Sequence, residues 1–489
     1  MITTGTPPSS IGNQVLLPAW LLFSLFVGAI AATFTSLGTA AFIAAALVTP
    51  PALILVARAW SFERLTIVTL VVLSNILLIH KVIAIHSANG DNLLGIRDIC
   101  LMAILAAGLY KGRDRIFSVA KHPLVWPGIV LAFLLPEALV FGRVNGASFM
   151  DGAREAFTLS MWVLPLVVAA NIRSREYLRI LFKTFEVLGL LISIGVILEV
   201  GSFGALQLVS TLREQVAGQL LMRVFPDAWP FMTFACISAI VGILAKQNVL
   251  RNATLFLITM AAIILTLQRG MPVVTVGGIT LLILLLVLSK NPDLRPHRAL
   301  IPAASFVLLI AAGALIADQI SPFLNDWLSR RFGEQAIQDL SGREYEMRMV
   351  KEAFVASPIA GRGLGARYRD PLPESLVFDT GAQDDGTFCH NIEGFLFLKL
   401  GLPGLFAFLA FAMAIMIRFW RYCFGYYDSE ARRFGIVITT TFVIWLVFAQ
   451  TANVFGDIRC LPICGFAAAM LAALELLEIR NQNNSIVSV

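Results

Sequence analysis

Residues 253–267 read Ala253-Thr254-Leu255-Phe256-Leu257-Ile258-Thr259-Met260-Ala261-Ala262-Ile263-Ile264-Leu265-Thr266-Leu267, fifteen positions without a charge. A soluble helix of this length shows an apolar stripe and a polar face; this one is apolar on every side. At about 1.5 Å rise per residue, the run and its flanks cover a hydrocarbon core roughly 30 Å thick. Arg251 stands before it, and Gln268-Arg269-Gly270 turns the chain straight into another apolar stretch. Comparable runs occur at Leu65 to Leu78 and Val437 to Phe448. Of the 489 residues, 58% are hydrophobic and 14% charged, against about 25% charged in an ordinary soluble domain. Mean hydropathy is +0.81. A soluble globular protein is excluded. The chain reads as an all-α polytopic membrane protein of about 12–14 spanning helices.

Spans are predicted to begin near Val15, Leu37, Leu65, Leu93, Leu124, Phe157, Ile180, Ala228, Ala253, Met271, Leu300, Gly394, Gly435 and Leu461. With the N-terminus inside, the cytoplasmic segments are 58–64, 111–121, 173–179, 246–251, 290–298, 418–433 and the tail after Glu478. Each carries Lys or Arg, whereas Thr35-Ser36 between the first two spans has none. That asymmetry is the positive-inside pattern, and it accounts for the net charge of +6 without nucleic acid. Both termini are expected in the cytoplasm. No basic n-region or small-residue cleavage site precedes the first span, so that span is read as the insertion signal.

This frame leaves one large periplasmic loop, 318–390, expected to hold short amphipathic helices. It carries Arg330, Arg331, Arg343, Arg348, Lys351, Arg362, Arg367 and Arg369. A basic loop outside calls for an anionic ligand, and arginine's planar fork suits phosphate better than lysine. Within it, Ser341-Gly342-Arg343-Glu344 has the spacing of a helix cap, with Leu340, Met347, Val350 and Phe354 on one face of the helix that follows. Ser357-Pro358 stops that helix. Gly361-Arg362-Gly363-Leu364-Gly365 is expected to be a flexible turn with backbone N–H groups available to a phosphate.

His390-Asn391 follow at the mouth of the next span. Of the five histidines, His80 and His86 fall at the outer end of the third span, and His122 and His297 in cytoplasmic segments. Only His390 adjoins the basic loop, and an imidazole takes a proton near neutral pH as arginine does not. Beyond it, Gly401-Leu402-Pro403-Gly404 breaks the apolar run, predicting a short re-entrant helix and then a full span.

These motifs in this order resemble the O-antigen ligase and polymerase superfamily. They are the Ser-Gly-Arg of the loop helix, Ser357-Pro358-Ile359-Ala360-Gly361-Arg362-Gly363-Leu364-Gly365, His390-Asn391 and Gly401-Leu402-Pro403-Gly404. Gln268-Arg269-Gly270 looks like that family's basic turn at the same place. The motif-bearing part runs from about Arg251 to Ile417. The resemblance implies a metal-independent, cofactor-free inverting glycosyltransferase. It would pass an undecaprenyl-diphosphate-linked glycan to an acceptor hydroxyl on the periplasmic side of the bacterial inner membrane. It implies His390 as base and Arg343 and Arg269 as diphosphate contacts, with Arg223 similar to a further family arginine. Arg362 joins the diphosphate set through the glycine turn, with Asn391, Arg348, Gly363 and Gly365 supporting. The expected partners are the lipid bilayer, a lipid-diphosphate oligosaccharide donor, a glycan or lipid A core acceptor, and other polysaccharide assembly proteins. The ligase branch usually continues past its histidine into a Gly-x-x-Gly-Thr-like stretch; Gly401-Leu402-Pro403-Gly404-Leu405 stands here instead. That departure leaves polymerase versus ligase open, with polymerase of a cell-surface polysaccharide slightly ahead.

The expected organisation is an N-terminal bundle over 1–250, a ligase- or polymerase-like core over 251–420 and C-terminal helices over 421–489. No GxGxxG, Walker or HExxH motif occurs, and the six cysteines make no metal pattern. A transporter or channel would need ionisable groups at mid-depth, with Arg97-Asp98, Glu137, Glu186 and Glu393 as candidates. A lipid-linked-sugar flippase would spread cations through a central cavity, whereas these arginines gather on one side.

Overall fold

A computed structural model describes residues 60–76, 84–86, 92–202, 208–216, 221–266, 270–289, 294, 334–367, 389–425, 427–450, 452 and 454–487. The predicted spans near Val15, Leu37 and Leu300, and His80 and His297, lie outside them. The architecture is all-α. The helices are α1 (Phe62–Leu73), α2 (Ile96–Lys111), α3 (Ile116–Ala120), α4 (Trp126–Val144), α5 (Phe149–Ser160), α6 (Leu164–Asn171) and α7 (Arg175–Gly201). They continue with α8 (Trp229–Leu244), α9 (Val249–Leu265), α10 (Gly270–Ser289), α11 (Glu334–Ala356), α12 (Ile392–Phe424), α13 (Ser429–Phe448) and α14 (Leu461–Val487). Each predicted span within the described residues coincides with one of these. Seven helical stretches among them are long and apolar enough to cross a membrane, namely α4, α5–α6 taken together, α7, α10, α12, α13 and α14, and the shorter α8 and α9 are apolar as well.

The helix starts follow from capping chemistry. Ser148, Ser174, Asn391 and Asp428 each accept a hydrogen bond from a first-turn N–H, of Asp151, Tyr177, Gly394 and Ala431 respectively. The span expected near Phe157 is not continuous. A 3-10 turn at Met161–Val163 separates α5 from α6, just before Pro165, which lacks the N–H a continuing helix would use.

α8 lies at the centre. Every residue from Trp229 to Leu244 is buried, with α7, α9 and α13 packed around it. Aromatic rings fill the seams: Phe185 against Phe231 at 4.8 Å, and Phe182 against both Phe234 at 5.0 Å and Phe434 at 4.3 Å. Trp445 of α13 donates its indole N–H to Thr233 of α8 over 2.8 Å.

The bundle has two chemically different ends. At one, the segments predicted cytoplasmic meet: Arg175 pairs with Asp428 (2.7 Å) and Glu478, and Arg179 with Glu430. Arg418 and His122 share Glu475 at 2.9 Å each, Arg173 binds Asp114 at 2.9 Å, and Arg433 donates to Gln247. Ala431 N–H and the Arg175 guanidinium outweigh burial and hold the Asp428 carboxyl below its usual range. The opposite end carries His390, the glycine turn and the α13–α14 connection.

Three details differ from the sequence expectation. Two antiparallel hairpins accompany the helices: β1 (Ala84–His86) with β2 (Asn92–Gly95), and β3 (Ser210–Val216) with β4 (Leu221–Pro226). Position 341 is not a helix start; α11 starts at Glu334 and continues through Ser341-Gly342 for 23 residues, longer than the short helices expected. The buried stripe of α11 is Glu346, Val350 and Ala353, while Met347 and Phe354 are exposed. The ionisable candidates for a transport path are engaged or exposed. Arg97 pairs with Asp98 at 3.7 Å, Glu186 with two cations, Glu393 accepts from Gln450 at 2.6 Å, and Glu137 is exposed.

Candidate functional site

α12 is two helices in one. Gly401 has φ 66° and ψ −162°, dividing 392–400 from 402–424. The left-handed φ needs glycine, and a Cβ there would collide with the carbonyl of Ile359. The half-helix 392–400 runs parallel to the second half of α11. Glu346 meets His390, Val350 meets Gly394, and Phe354 packs at a tilt against Phe397 with centroids 4.4 Å apart.

His390 stands at the start of this half-helix with its side chain about half exposed (51%). Its backbone N–H donates to Glu346 Oε1 over 2.9 Å, and its Nδ1 lies 3.3 Å from Oε2. Glu346 is buried at 6% side-chain exposure. A carboxylate only accepts, so Nδ1 is the donor in this contact, which favours the tautomer whose basic nitrogen is Nε2. A buried orienting carboxylate behind an accessible imidazole is the arrangement of a positioned general base. Asn391 is the helix cap, accepting from Gly394 N–H at 2.9 Å, and its amide donates to Gln450 at 2.8 Å. Ile392 N–H reaches Ala449 O at 3.2 Å, tying the half-helix to the end of α13.

The glycine turn is built into the protein rather than left open. Gly361 N–H donates to Ser357 O, Arg362 N–H to Leu398 O at 2.6 Å, Leu364 N–H to Ala138 O at 2.9 Å, and Gly365 N–H to Glu155 Oε2 at 2.7 Å. Four of the turn's five backbone donors, expected to be open, are therefore already committed. Gly363 has φ 86°, and a Cβ on it would overlap the backbone of α4 at Gly142. The glycines let the strand of chain thread between α4, α5 and the half-helix.

Sequence reasoning missed the residue that locks this arrangement. Lys399, fully buried, pairs with Glu155 Oε1 at 2.9 Å and donates to Ala366 O at 3.1 Å. Glu155 thus holds the turn with one oxygen and the half-helix with the other. A lone lysine in Phe397-Leu398-Lys399-Leu400 was a visible signal; Glu155 and Glu346, each in a charge-rich stretch, were not.

The predicted site residues are spread over several elements. His390, Asn391, Gly363 and Gly365 lie on the half-helix and turn just described. Arg362 is at the far end of the half-helix, roughly 12 Å along it from His390 by helical rise, half-buried. Arg348 is exposed on α11, and residue 343 occupies the stripe of Glu346 and Val350 one turn earlier. Residue 223 pairs with residue 214 in the β3–β4 hairpin. The hairpin ends at Asp227, held by Asn75 (2.7 Å) and Arg459 (3.4 Å). The Asp457 carboxylate beside Arg459, more than burial opposes, raises that guanidinium above its ordinary value. Arg269 lies outside the described residues. Among the described residues, no group of three or more His, Cys, Asp or Glu side chains is placed to hold a metal ion.

Residues 254–409 match the family model for the O-antigen ligase domain. The match runs from α9 through the basic turn, α11, the glycine turn, His390 and the Gly401 break, and it supports the resemblance read from the motifs. No curated protein matches the chain.

Proposed function

We propose that this protein is a membrane glycosyltransferase that moves a glycan from an undecaprenyl-diphosphate carrier to an acceptor hydroxyl at the periplasmic face of the inner membrane, polymerising a cell-surface polysaccharide. The observation that carries this reading is the exposed His390 held by buried Glu346, inside the ligase-like segment and at the end of the bundle opposite the basic loops. His390 Nε2 takes the acceptor proton and the acceptor oxygen attacks the anomeric carbon from the face opposite the leaving group. The bond to the diphosphate breaks, and the electron pair leaves on the diphosphate. Arg343 and Arg269 neutralise it, with Arg223, Arg362 and Arg348 adding positive field. Diphosphate is a good leaving group, so a base, cations and orientation suffice, without a metal. Glu346 stabilises the imidazolium that forms.

The test is incubation of the purified protein with a lipid-diphosphate oligosaccharide, with and without lipid A core. Longer glycans on the same lipid establish the polymerase. Glycan on lipid A establishes the ligase, the reading that the family model's description favours. Unchanged substrate in both arms refutes glycosyl transfer.

A further inference from the structure

Away from that site, toward the end of the bundle where the basic segments meet, α7 and α9 are separated by a groove of about 670 Å³. Two facing stripes line it. On α7, Lys183, Glu186 and Leu190 follow one another at i, i+3 and i+7; on α9, Arg251, Leu255 and Ile258 do so at i, i+4 and i+7. The cations sit at the same level and the aliphatic residues continue away from them toward mid-bundle. Glu186, only 12% exposed, accepts from Lys183 at 3.0 Å, from Arg251 at 2.9 Å and from Ser238 at 2.6 Å. Two cations and one anion leave a net charge of +1. Each cation engages one donor with Glu186, and both side chains remain about half exposed (54% and 50%). The ammonium keeps two N–H groups and the guanidinium four.

We propose that this groove is a binding site for an anionic glycerophospholipid of the leaflet at the basic end, its phosphate on Lys183 and Arg251 and one acyl chain over Leu190, Leu255 and Ile258. The pre-formed ion pairs fix both cations at headgroup level before the lipid arrives. The residual positive charge selects anionic over zwitterionic headgroups. The inference needs only the membrane setting, so it stands or falls independently of glycosyl transfer.

The experiment is native mass spectrometry of the protein in neutral detergent, titrated with phosphatidylglycerol or phosphatidylcholine. Phosphatidylglycerol should be retained as one bound lipid and phosphatidylcholine displaced. The triple variant Lys183→Gln/Glu186→Gln/Arg251→Gln leaves no buried carboxylate uncompensated. It should retain phosphatidylglycerol about tenfold less well or worse, the size of a charge-assisted hydrogen bond. Leu190→Trp/Leu255→Trp fills the groove with the charges in place and should weaken retention too. If the triple variant does not fold, Arg251→Gln alone should still show a several-fold loss. Equal retention of the two lipids, or undiminished retention by the folded charge variants, overturns the proposal.

Discussion

Glu346→Gln is the most informative single change. The amide keeps the size of the side chain and can still accept from the His390 N–H, but it removes the charge behind the ring. With the carboxylate 3.3 Å from Nδ1, Coulomb attraction for a protonated ring is roughly 5 kcal/mol at an effective dielectric near 20. His390 is half exposed, so water screens much of this, leaving about 1.5–3 kcal/mol, the range of a charge-assisted hydrogen bond. The turnover rate should therefore fall roughly 10–150-fold. The loss belongs in kcat rather than KM, because the imidazolium exists only as the transition state is approached. Transfer from a lipid-diphosphate oligosaccharide supplies the assay. The decisive step is a double-mutant cycle: in a His390→Gln background, Glu346→Gln should cost nothing more, because it acts only through the ring. Additive losses would mean that Glu346 merely packs α11 against the half-helix, and full activity of Glu346→Gln would remove the base assignment.

Arg343→Ala and Arg269→Ala should each lower transfer by orders of magnitude, with lysine rescuing only in part because a point charge lacks the fork; unchanged rates in both would exclude them as diphosphate contacts. Gly363→Ala forces a Cβ into α4 at a left-handed φ and should lower folded yield sharply, as read by size-exclusion profile and thermal unfolding; a wild-type profile would disprove the threaded turn. Lys399→Met strands Glu155 and should destabilise by about 3–5 kcal/mol, whereas Lys399→Met/Glu155→Leu should recover most of that in the same measurement. In a cysteine-labelling scan, Ser61 and Ser429 should label from the cytoplasm and Ser375, outside the described residues, from the periplasm; labelling of Ser375 and Ser429 from one side would reverse the map.

The spans were legible because an apolar run such as 253–267 admits one solvent, and the grouping of the loops because Arg175, Arg179, Arg418 and Arg433 flank such runs. The same loops gather at one end of the fold. The break at Gly401 was legible from Gly-Leu-Pro-Gly for a comparable reason, since few residues tolerate that backbone. What failed was local to α11. Glu334-Gln335-Ala336-Ile337-Gln338 are helix-compatible, so the helix starts before Ser341 and tolerates Gly342 inside, at a penalty near 1 kcal/mol. Its buried stripe follows Glu346 because the neighbour it meets is His390, a polar partner that hydrophobic periodicity does not reveal. The glycines of 361–365 announced unusual backbone but not its use; the N–H groups of Arg362, Leu364 and Gly365 serve Leu398, Ala138 and Glu155 across more than thirty positions or more than two hundred, distances no local pattern records.

The buried α8 also constrains how the chain is made. Thr233 and Trp445 are separated by 212 positions. At about 5–20 residues per second, the ribosome supplies the second roughly 10–40 s after the first. During that interval α8 must face something other than α13, and its all-round apolar surface allows that neighbour to be lipid. The hydroxyl that Trp445 later meets need not wait unsatisfied, since Thr233 Oγ1 already donates to Pro230 O at 2.9 Å within its own helix. The centre of the protein is thus delivered early and wrapped late. A chain arrested before Ser429 should insert stably yet remain open along one side of α8, leaving the final helices to decide when assembly is complete.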